Sequence, residues 1–372
     1  MVRDRSLNFL LPLLTGRRRD EYEGARMNSS STVAEAAVLG GTLPQHVNIE
    51  TVNFCNARCP FCPLFQGPNQ LDRSIRPAHV MSDDLYLEIV RQIASWRPAP
   101  TLTLNMDGEP LLDPRFAQRL EILARAGLSA RAHIQTNGQF LDDERSRAIL
   151  QAPLGQVHYA FDGATKETYE KHRVRCEYER VLENLRRFVA IRRELGARTE
   201  VLVKYTRTDQ NAGEVAACYA LLNAFMDPEL DKFIDTITHS WGQESLEDGT
   251  LYNVAKAKPT LFRGGGCGLV NTTLVVLADG RVPACCLDYN FFVRRDGLGS
   301  AQRNTLQEIW QGDAFAQLRR DLSQAAQHAI PDLCRRCINL YDAPAEYPPP
   351  MIADERNLLW RSPYNYAYRF GA

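Results

Sequence analysis

The stretch NFCNARCPFCP, residues 53–63, carries three cysteines in the spacing C-x3-C-x2-C, at Cys55, Cys59 and Cys62. Thiolates bind soft metals, and tight groups of cysteines are typical of zinc or iron–sulfur sites. A structural zinc site needs four ligands, and the next histidine downstream is as far away as His79. Three thiolates on one turn therefore predict a metal centre with one position left for another ligand.

Around this stretch, the chain alternates between short apolar runs and segments with helical periodicity. The predicted strands are His46–Asn53, Thr101–Asn105, Ala130–Thr136, Gln156–Asp162, Thr199–Thr206 and Phe233–His239. The predicted helices are Ser82–Ser95, Pro114–Ala126, Asp142–Leu150, Glu177–Leu195 and Ala212–Phe225. A repeated strand–helix order with short links favours a parallel sheet with helices packed outside it. In such folds the chemistry lies at the carboxyl ends of the strands.

After about residue 262 the pattern changes to a smaller region with its own cysteines. Its features, in chain order, are the glycine run Gly264–Gly266, Cys267, the strand Thr272–Leu277, the strand Arg281–Cys286, the helix Thr305–Leu322, and the pair Cys334 and Cys337. The Asp279-Gly280 pair between the two apolar runs is a strong hairpin signal. On ligand count alone, four thiolates from this region fit zinc as well as an iron–sulfur cluster.

The cysteine trio, the aromatic Phe61 before its last cysteine and the strand–helix units that follow resemble the radical S-adenosylmethionine (SAM) superfamily. The resemblance covers roughly residues 46–245 and implies an α/β fold, a partial (β/α)6 TIM-like barrel. In that family the amino and carboxylate groups of SAM fill the open iron of a [4Fe-4S] cluster. Reductive cleavage of SAM then gives a 5′-deoxyadenosyl radical, which abstracts a hydrogen atom from the substrate.

Further segments match family motifs. Asn105–Pro110 (NMDGEP) resembles the GGE motif that contacts the SAM amino group, with Asp107 in place of the first glycine. Thr136–Gly138 resembles the TNG turn, and Ala160–Gly163 resembles the SxDG segment, with Ala160 where a serine hydroxyl is common. The cofactor-binding residues that the resemblance implies are Phe61, Asp107, Gly108, Glu109, Asn137, Asp162, Arg173 and Lys204. Arg175 and Arg207 are alternative partners for the SAM carboxylate, and each of these cations also fits an ordinary surface position.

The layout C-x12-G-x4-C followed by C-x2-C resembles the auxiliary-cluster module called SPASM, or twitch when it is shortened. It implies an auxiliary [4Fe-4S] cluster held entirely by protein, on Cys267, Cys285, Cys334 and Cys337. A full SPASM pattern has further cysteines, but Ala343 and Tyr347 stand at those places, so we expect one auxiliary cluster. Cys286 is a second candidate for the place of Cys285, although the glycine spacing favours Cys285.

The remaining cysteines, Cys176 and Cys218, fall in predicted helices and are expected to be buried apolar thiols. Each of them, like Cys286, is also a candidate hydrogen-atom donor to a product radical. The predicted divisions of the chain are 1–45, an N-terminal extension and linker; 46–245, the barrel; 246–345, the auxiliary module; and 346–372, a C-terminal tail.

A fully ligated auxiliary cluster suits electron transfer, and thereby a net two-electron oxidation such as alcohol to ketone. The catalytic candidates are His239 and Lys204, as bases, and Cys286; His158 and Asp235 are further candidate bases near strand ends. The cysteine layout resembles the twitch-type dehydrogenases of aminocyclitol biosynthesis, the 2-deoxy-scyllo-inosamine dehydrogenase-like enzymes. The expected substrate is a sugar, an aminocyclitol or a related natural-product intermediate, oxidised or epimerised, with flavodoxin or ferredoxin as reductant.

Two other functions stay open at this point. One is a maturase that crosslinks or epimerises a ribosomal peptide; only about 45 residues precede the first strand, where such enzymes often carry a peptide-binding domain. The other is a non-catalytic iron–sulfur or zinc scaffold. SAM cleavage distinguishes the scaffold from both enzymes.

Composition excludes several partners. The net charge of −1 gives no electrostatic case for nucleic acid or an anionic membrane. The apolar run Leu7–Leu14 is too short to span a bilayer and precedes Arg17–Arg19, the reverse of a signal peptide. It predicts a short docking helix, or alternatively a peripheral anchor, and residues 27–35 predict a linker. Seven of ten cysteines lie in metal-like groups, which favours a reducing cytoplasm.

Overall fold

The computed structural model describes residues 41–62, 64, 70–237, 266–324, 330–335, 337, 350–352, 356–362 and 365–371. Several sequence predictions fall outside these residues and stay predictions. They are the docking helix Leu7–Leu14, the linker 27–35, the candidate base His239, and the absence of further auxiliary ligands at Ala343 and Tyr347.

Six parallel strands form the centre of the main sheet. They are β1 (His46–Ile49), β2 (Thr101–Thr103), β3 (Ala132–Thr136), β4 (Gln156–Ala160), β5 (Glu200–Arg207) and β6 (Lys232–Ile237). Each strand pairs in parallel with the next one along the chain, so their spatial order is their chain order. With helices in the connections, this confirms the partial (β/α)6 barrel.

Five more strands extend or flank this centre. They are β7 (Thr273–Val276), β8 (Arg281–Val282), β9 (Gly299–Ser300), β10 (Leu358–Ser362) and β11 (Asn365–Arg369). β7 adds a parallel strand beside β1, whereas β11 pairs antiparallel with β6 and β10 with β11. Both edges of the six-stranded centre are therefore covered by strands from the C-terminal part of the chain.

The predicted hairpin is only partly right. The turn forms, since Gly280 donates its N–H to the carbonyl of Leu277 at 2.8 Å. The first arm, however, joins the barrel sheet as β7, and the second arm ends at Val282 and pairs with β9. The aromatic C-terminal tail, for which no element was predicted, contains the β10–β11 hairpin.

The helices of the described residues match the predicted ones at most positions. They are α1 (Asp83–Ser95), α2 (Phe116–Arg125), α3 (Asp143–Gln151), α4 (Lys166–His172), α5 (Tyr178–Glu194), α6 (Val215–Asn223), α7 (Gly268–Thr272), α8 (Leu306–Gln311), α9 (Asp313–Ser323) and α10 (Asp332–Arg335). The predicted helix over 305–322 is instead two helices, α8 and α9, separated at Gly312. In the described part of the chain, no helix combines the length and the apolar character that crossing a bilayer requires.

The strands alternate between an apolar outer face and a more polar inner face, as the two-residue period of a strand requires. In β4, Tyr159 is fully buried and donates its hydroxyl to the carbonyl of Val181 in α5 at 2.7 Å. His158 and Lys204 lie on the opposite, inner face, because they alternate with such outward residues. The core thus lies between sheet and helices, and polar groups are left inside the barrel.

The β10–β11 hairpin is docked through its aromatic residues. Phe370 is fully buried and stacks on Tyr219 of α6 with ring centroids 5.5 Å apart. We expect Phe370→Ala to lower the free energy of unfolding by about 3 kcal/mol, because it leaves a cavity in this contact. Chemical denaturation measures the change. Phe292→Ala is the control, since Phe292 is 40% exposed; equal effects of the two variants would show that the hairpin is not docked.

Candidate active site

The first cysteine group lies on the loop that follows β1. The N–H of Cys62 donates to the carbonyl of Cys59 at 3.0 Å, and Arg58 is held by a backbone bond to Val174 at 2.9 Å. Burial raises the pKa of Cys55 to about 12, and Glu109 and Cys59 add to the shift. The thiols are therefore close enough to interact with one another, and they are costly to ionise without a bound metal.

Two side chains donate hydrogen bonds to these sulfurs. Asn137 Nδ2 donates to Cys55 Sγ at 3.7 Å, and Arg173 Nη1 donates to Cys59 Sγ at 3.5 Å. The guanidinium of Arg173 also lies 5.0 Å from the centre of the Phe61 ring. Donors of this kind favour the thiolate form, so Asn137, Arg173 and Phe61, all predicted from sequence, are assembled around the cysteine group.

Glu109 joins the ends of β2 and β3. Its carboxylate accepts hydrogen bonds from Thr136 Oγ1 at 2.7 Å, from the Asn137 N–H at 2.8 Å and from the Leu111 N–H at 3.2 Å. Burial raises the pKa of Glu109, and the bonds from Asn137 and Thr136 oppose that shift. The two predicted motifs, NMDGEP and TNG, thus form one hydrogen-bonded unit.

Gly108 allows the cysteine loop to approach this unit. A Cβ atom there would lie 2.3 Å from the carbonyl oxygen of Val52 and 2.9 Å from that of Phe54. Both obstacles are backbone atoms, which cannot rotate away. The glycine is therefore needed so that the backbone entering the cysteine loop can cross the end of β2.

Two predicted cofactor-binding carboxylates are already engaged with arginines. Asp107 accepts from Arg76 Nη1 at 2.5 Å, and Asp162 accepts from Arg173 Nε and from the Thr206 N–H, the latter at 2.5 Å. Burial raises the pKa of Asp107, and Arg76 opposes the shift. Asp162 thus orients Arg173 toward Cys59, while Asp107 belongs to a separate ion-paired group.

Lys204 lies inside the barrel, beside Ala160 in the register of β4 and β5. Its Nζ donates to Gln135 Oε1 at 3.4 Å, and burial lowers the pKa of Lys204 to about 8. The ring of His158 stacks on that of His133 with centroids 4.2 Å apart. Burial keeps the pKa values of both histidines well below the usual value, so both rings are neutral.

Gln135 and His133 are not among the residues predicted from the sequence. Both occupy alternate positions of β3, and that period-two pattern of polar residues is the signal that would have placed them on the inner face.

Arg207 and Asp235 do not face the interior, which corrects two sequence predictions. Both side chains are fully buried and pair with each other, Arg207 Nε to Asp235 Oδ1, at 3.2 Å. Arg207 also lies 5.7 Å from the ring of Tyr366 in β11. Because Lys204 and Arg207 are an odd number of residues apart on β5, they project from opposite faces. Arg175 also lies outside the site, since it is exposed to solvent.

The two cysteines predicted as helical thiols differ. Cys218 is buried in α6 with its Sγ 3.8 Å from the carbonyl of Phe161, as predicted. Cys176 is buried but lies in the loop before α5, not in a helix. Asn56 Nδ2 donates to the Sγ of Cys176 at 3.6 Å. Burial raises the pKa of Cys176, Arg173 opposes the shift, and Cys59 and Cys55 add to it. Cys176 is therefore a neighbour of the first cysteine group.

The second cysteine group consists of Cys267, Cys285, Cys286, Cys334 and Cys337. Burial raises the pKa of Cys285, with further contributions from Cys286 and Cys267. Burial also raises the pKa of Cys334, and Cys267 and Cys337 add to that shift. Burial raises the pKa of Cys286 to about 12, and Cys337 makes the next contribution. Cys285 and Cys286 therefore both lie near Cys267, Cys286 also lies near Cys337, and Cys334 lies near Cys267 and Cys337.

The donor sets fit iron–sulfur clusters better than single ions. Among the described residues, no three Cys, His, Asp or Glu side chains are close enough to share one metal ion. In a [4Fe-4S] cluster each cysteine binds a different iron, so the ligands spread more widely than those of a single tetrahedral zinc. Three thiols in the first group and more in the second suit such clusters.

The chain contains a radical SAM domain and a SPASM domain. Residues 49–209 match the model of the radical SAM superfamily, and residues 267–338 match SPASM, an iron–sulfur cluster-binding domain. The cofactors of these domains are SAM, a [4Fe-4S] cluster and auxiliary iron–sulfur. The matched ranges contain all seven predicted cysteine ligands.

Among known proteins, the chain is similar to the S-adenosyl-L-methionine-dependent 2-deoxy-scyllo-inosamine dehydrogenase of Niallia circulans. The two are 23% identical over 294 residues, which is 79% of this chain and 92% of that protein.

Solved structures show the same fold. BtrN in complex with AdoMet and 2-DOIA is 18% identical, with a TM-score of 0.51 over 80% of this chain and 94% of that chain. SuiB of Streptococcus suis bound to its precursor peptide SuiA is 12% identical, with a TM-score of 0.58 over 86% and 80%. anSMEcpe with bound AdoMet is 16% identical, with a TM-score of 0.55 over 81% and 92%.

The close approach at Gly108 leads to a prediction about metal loading. We expect Gly108→Ala to displace the first cysteine loop and to reduce iron per chain to about half, because the second group keeps its own cluster. Iron analysis after anaerobic reconstitution measures this. Gly213→Ala is the matched control, since a Cβ at Gly213 meets no heavy atom within 4 Å. Full iron loading of Gly108→Ala would contradict the structural role given to this glycine.

Proposed function

We propose that this protein is a radical SAM oxidoreductase that oxidises a secondary alcohol of a small polar substrate, a sugar, an aminocyclitol or a related natural-product intermediate. The observation that carries the proposal is the polar interior of the barrel, where Gln135 on β3 lies two residues before Asn137, whose amide donates to Cys55. Lys204, Gln135 and His158 project into this interior from neighbouring strands. Hydroxyl-rich substrates need such hydrogen-bonding groups, because buried polar groups must be paired.

The relative from Niallia circulans supports the choice of reaction. Its name describes dehydrogenation of 2-deoxy-scyllo-inosamine, an aminocyclitol, and the similarity covers most of both chains. A small-molecule substrate also suits a site built inside the barrel. The reductant in this proposal is flavodoxin or ferredoxin, and the location is the cytoplasm, where iron–sulfur sites and free thiols stay reduced.

Oxidation of an alcohol to a ketone removes a hydrogen atom, a proton and an electron. When bound, the cofactors would abstract the hydrogen atom and take up the electron. The protein must then accept the hydroxyl proton, and Lys204 is the residue proposed for this step. An amine with a pKa of about 8 is partly neutral near physiological pH and can act as a general base. The neighbouring His133 and His158 are neutral, so they add no positive charge.

Lys204 and Cys286 each have a second possible role in this proposal. Lys204 was also predicted to bind the SAM carboxylate, and in its protonated form it suits that role equally. Cys286 lies within the second cysteine group, and it is proposed either as the alternative ligand to Cys285 or as the hydrogen-atom donor of an epimerase. An epimerase that uses Cys286 as donor loses turnover in Cys286→Ala while SAM cleavage and the iron content stay as in wild type, a ligand role lowers the iron content, and a dehydrogenase with Cys285 as ligand keeps its turnover.

Substrate assays test the reaction class directly. With SAM and reductant, we expect an aminocyclitol or sugar to lose two hydrogen atoms, with one 5′-deoxyadenosine formed per ketone. Mass spectrometry of both products measures this ratio. A modified peptide in place of a ketone would favour the maturase function, with which the SuiB fold is also compatible. Absence of any SAM cleavage would contradict both enzymes.

The pKa of Lys204 predicts the pH dependence of turnover. Below about pH 8 the amine is protonated and cannot accept a proton, so turnover should rise as pH increases through about 8. Lys204→Met should remove this rise and lower turnover by about 100-fold or more.

The matched control is Lys232→Met. Lys232 lies at the start of β6 and is paired with Glu200, away from the strand ends that carry the site. A wild-type pH profile in Lys204→Met, or the same loss in both variants, would contradict the role of Lys204 as base.

A further inference from the structure

A buried group of three charged side chains lies at the ends of β1 and β2. Arg76 Nη2 donates to both oxygens of Glu50, at 2.7 and 2.6 Å, and Arg76 Nη1 donates to Asp107 at 2.5 Å. The most exposed of the three residues, Asp107, is only 4% exposed. Removing one partner from such a group strands an uncompensated charge, so its geometry is strongly enforced. We call Arg76, Glu50 and Asp107 the Arg76 network.

The network also holds the SPASM region against the barrel. Arg76 Nη1 donates to the carbonyl of Tyr289 at 2.9 Å, three residues after Cys286. Glu50 Oε2 accepts from the N–H of Ala278, in the turn after β7, at 3.0 Å. One guanidinium and one carboxylate therefore fix the chain on both sides of Cys285 and Cys286 to the ends of two barrel strands.

The same network lies between the two cysteine groups. Tyr289, whose carbonyl Arg76 holds, belongs to the apolar group that Cys62 packs against. Met106, the residue before Asp107, packs against the apolar group that Cys62 also contacts and against the one that Cys286 contacts. Asp107 stands where the family resemblance expects a glycine, and a glycine could not pair with Arg76.

We propose that Arg76 is a positioning residue, which through Glu50 and Asp107 fixes the distance between the first and second cysteine groups and thus between their clusters. The inference rests on the cofactors of the two domains and not on the proposed substrate. Loss of the guanidinium removes the ion-pair partner of Glu50 and Asp107 and releases the carbonyl of Tyr289. The separation of the two groups then becomes longer or more variable.

The chain offers a matched control at the opposite side of the barrel. Arg192 of α5 donates to both oxygens of Asp231, at 2.5 and 2.7 Å, and its side chain is 2% exposed. Removing Arg192 strands a buried carboxylate in the same way, but it contacts neither cysteine group among the described residues. It therefore separates a general loss of stability from a change in cluster spacing.

Pulsed dipolar EPR on the fully reduced, iron-loaded protein tests the proposal. The distribution of cluster–cluster distances should be narrow in wild type and in Arg192→Met, and it should broaden or shift in Arg76→Met. Asp107→Asn keeps an oxygen acceptor for Arg76 and should keep the narrow distribution, whereas Asp107→Gly should lose it. Arg76→Met or Asp107→Gly with both clusters and the wild-type distribution overturns the proposal.

A second measurement keeps the test valid for a variant that binds too little iron. Hydrogen exchange of the Ala278 amide, in the protein as purified, should become faster in Arg76→Met and stay as in wild type in Arg192→Met. Equal exchange in these two variants overturns the proposal. Because neither measurement uses a substrate, a failed oxidation assay would leave this inference standing, and a failed spacing test would leave the proposed function standing.

Discussion

The buried carboxylate of Glu109 is the constraint on which the site depends. A buried carboxylate must have its oxygens hydrogen-bonded, and here the donors come from Thr136 and Asn137 on the next strand. Their bonds fix the end of β2 to the end of β3 and aim the Asn137 amide at Cys55. Gly108 beside it lets the cysteine loop cross at backbone distance. The hydrogen-bonded carboxylate of Glu109 and the absence of a side chain at Gly108 thus position the loop that carries the first cysteine group.

The second organising feature is the strict alternation of strand faces. In β5, Val203 and Tyr205 pack in the core while Lys204 between them enters the barrel. The barrel therefore has an interior in which burial alone lowers the pKa of an amine to about 8. That combination of depth and chemistry is what a radical enzyme requires, since the reacting groups must be positioned and kept from water. The same alternation directs Arg207, three residues after Lys204, away from the barrel interior.

Local patterns predicted much of this from sequence. The spacing of Cys55, Cys59 and Cys62 and the NMDGEP and TNG segments lie within short stretches, so sequence distance and spatial distance agree. The partners of Asp107 and Asp162 could not be predicted, because Arg76 and Arg173 reach them through tertiary contacts. Whether Asp235 faces the barrel interior or the helices depends on the register of β6. A shift of one residue reverses that face, and periodicity alone does not fix the register. The docking of β11 against β6 is likewise non-local, joining residues more than a hundred positions apart.

The central claim is that two separate cysteine groups hold two separate clusters, and a count of iron and sulfide tests it most directly. Protein purified and reconstituted without oxygen should contain about 8 iron atoms per chain, and the Cys55/Cys59/Cys62→Ala triple variant about 4, because one cubane remains. Iron near zero in the triple variant, with zinc in its place, would contradict the claim. The second group would then be structural, and the oxidation would lack its electron acceptor.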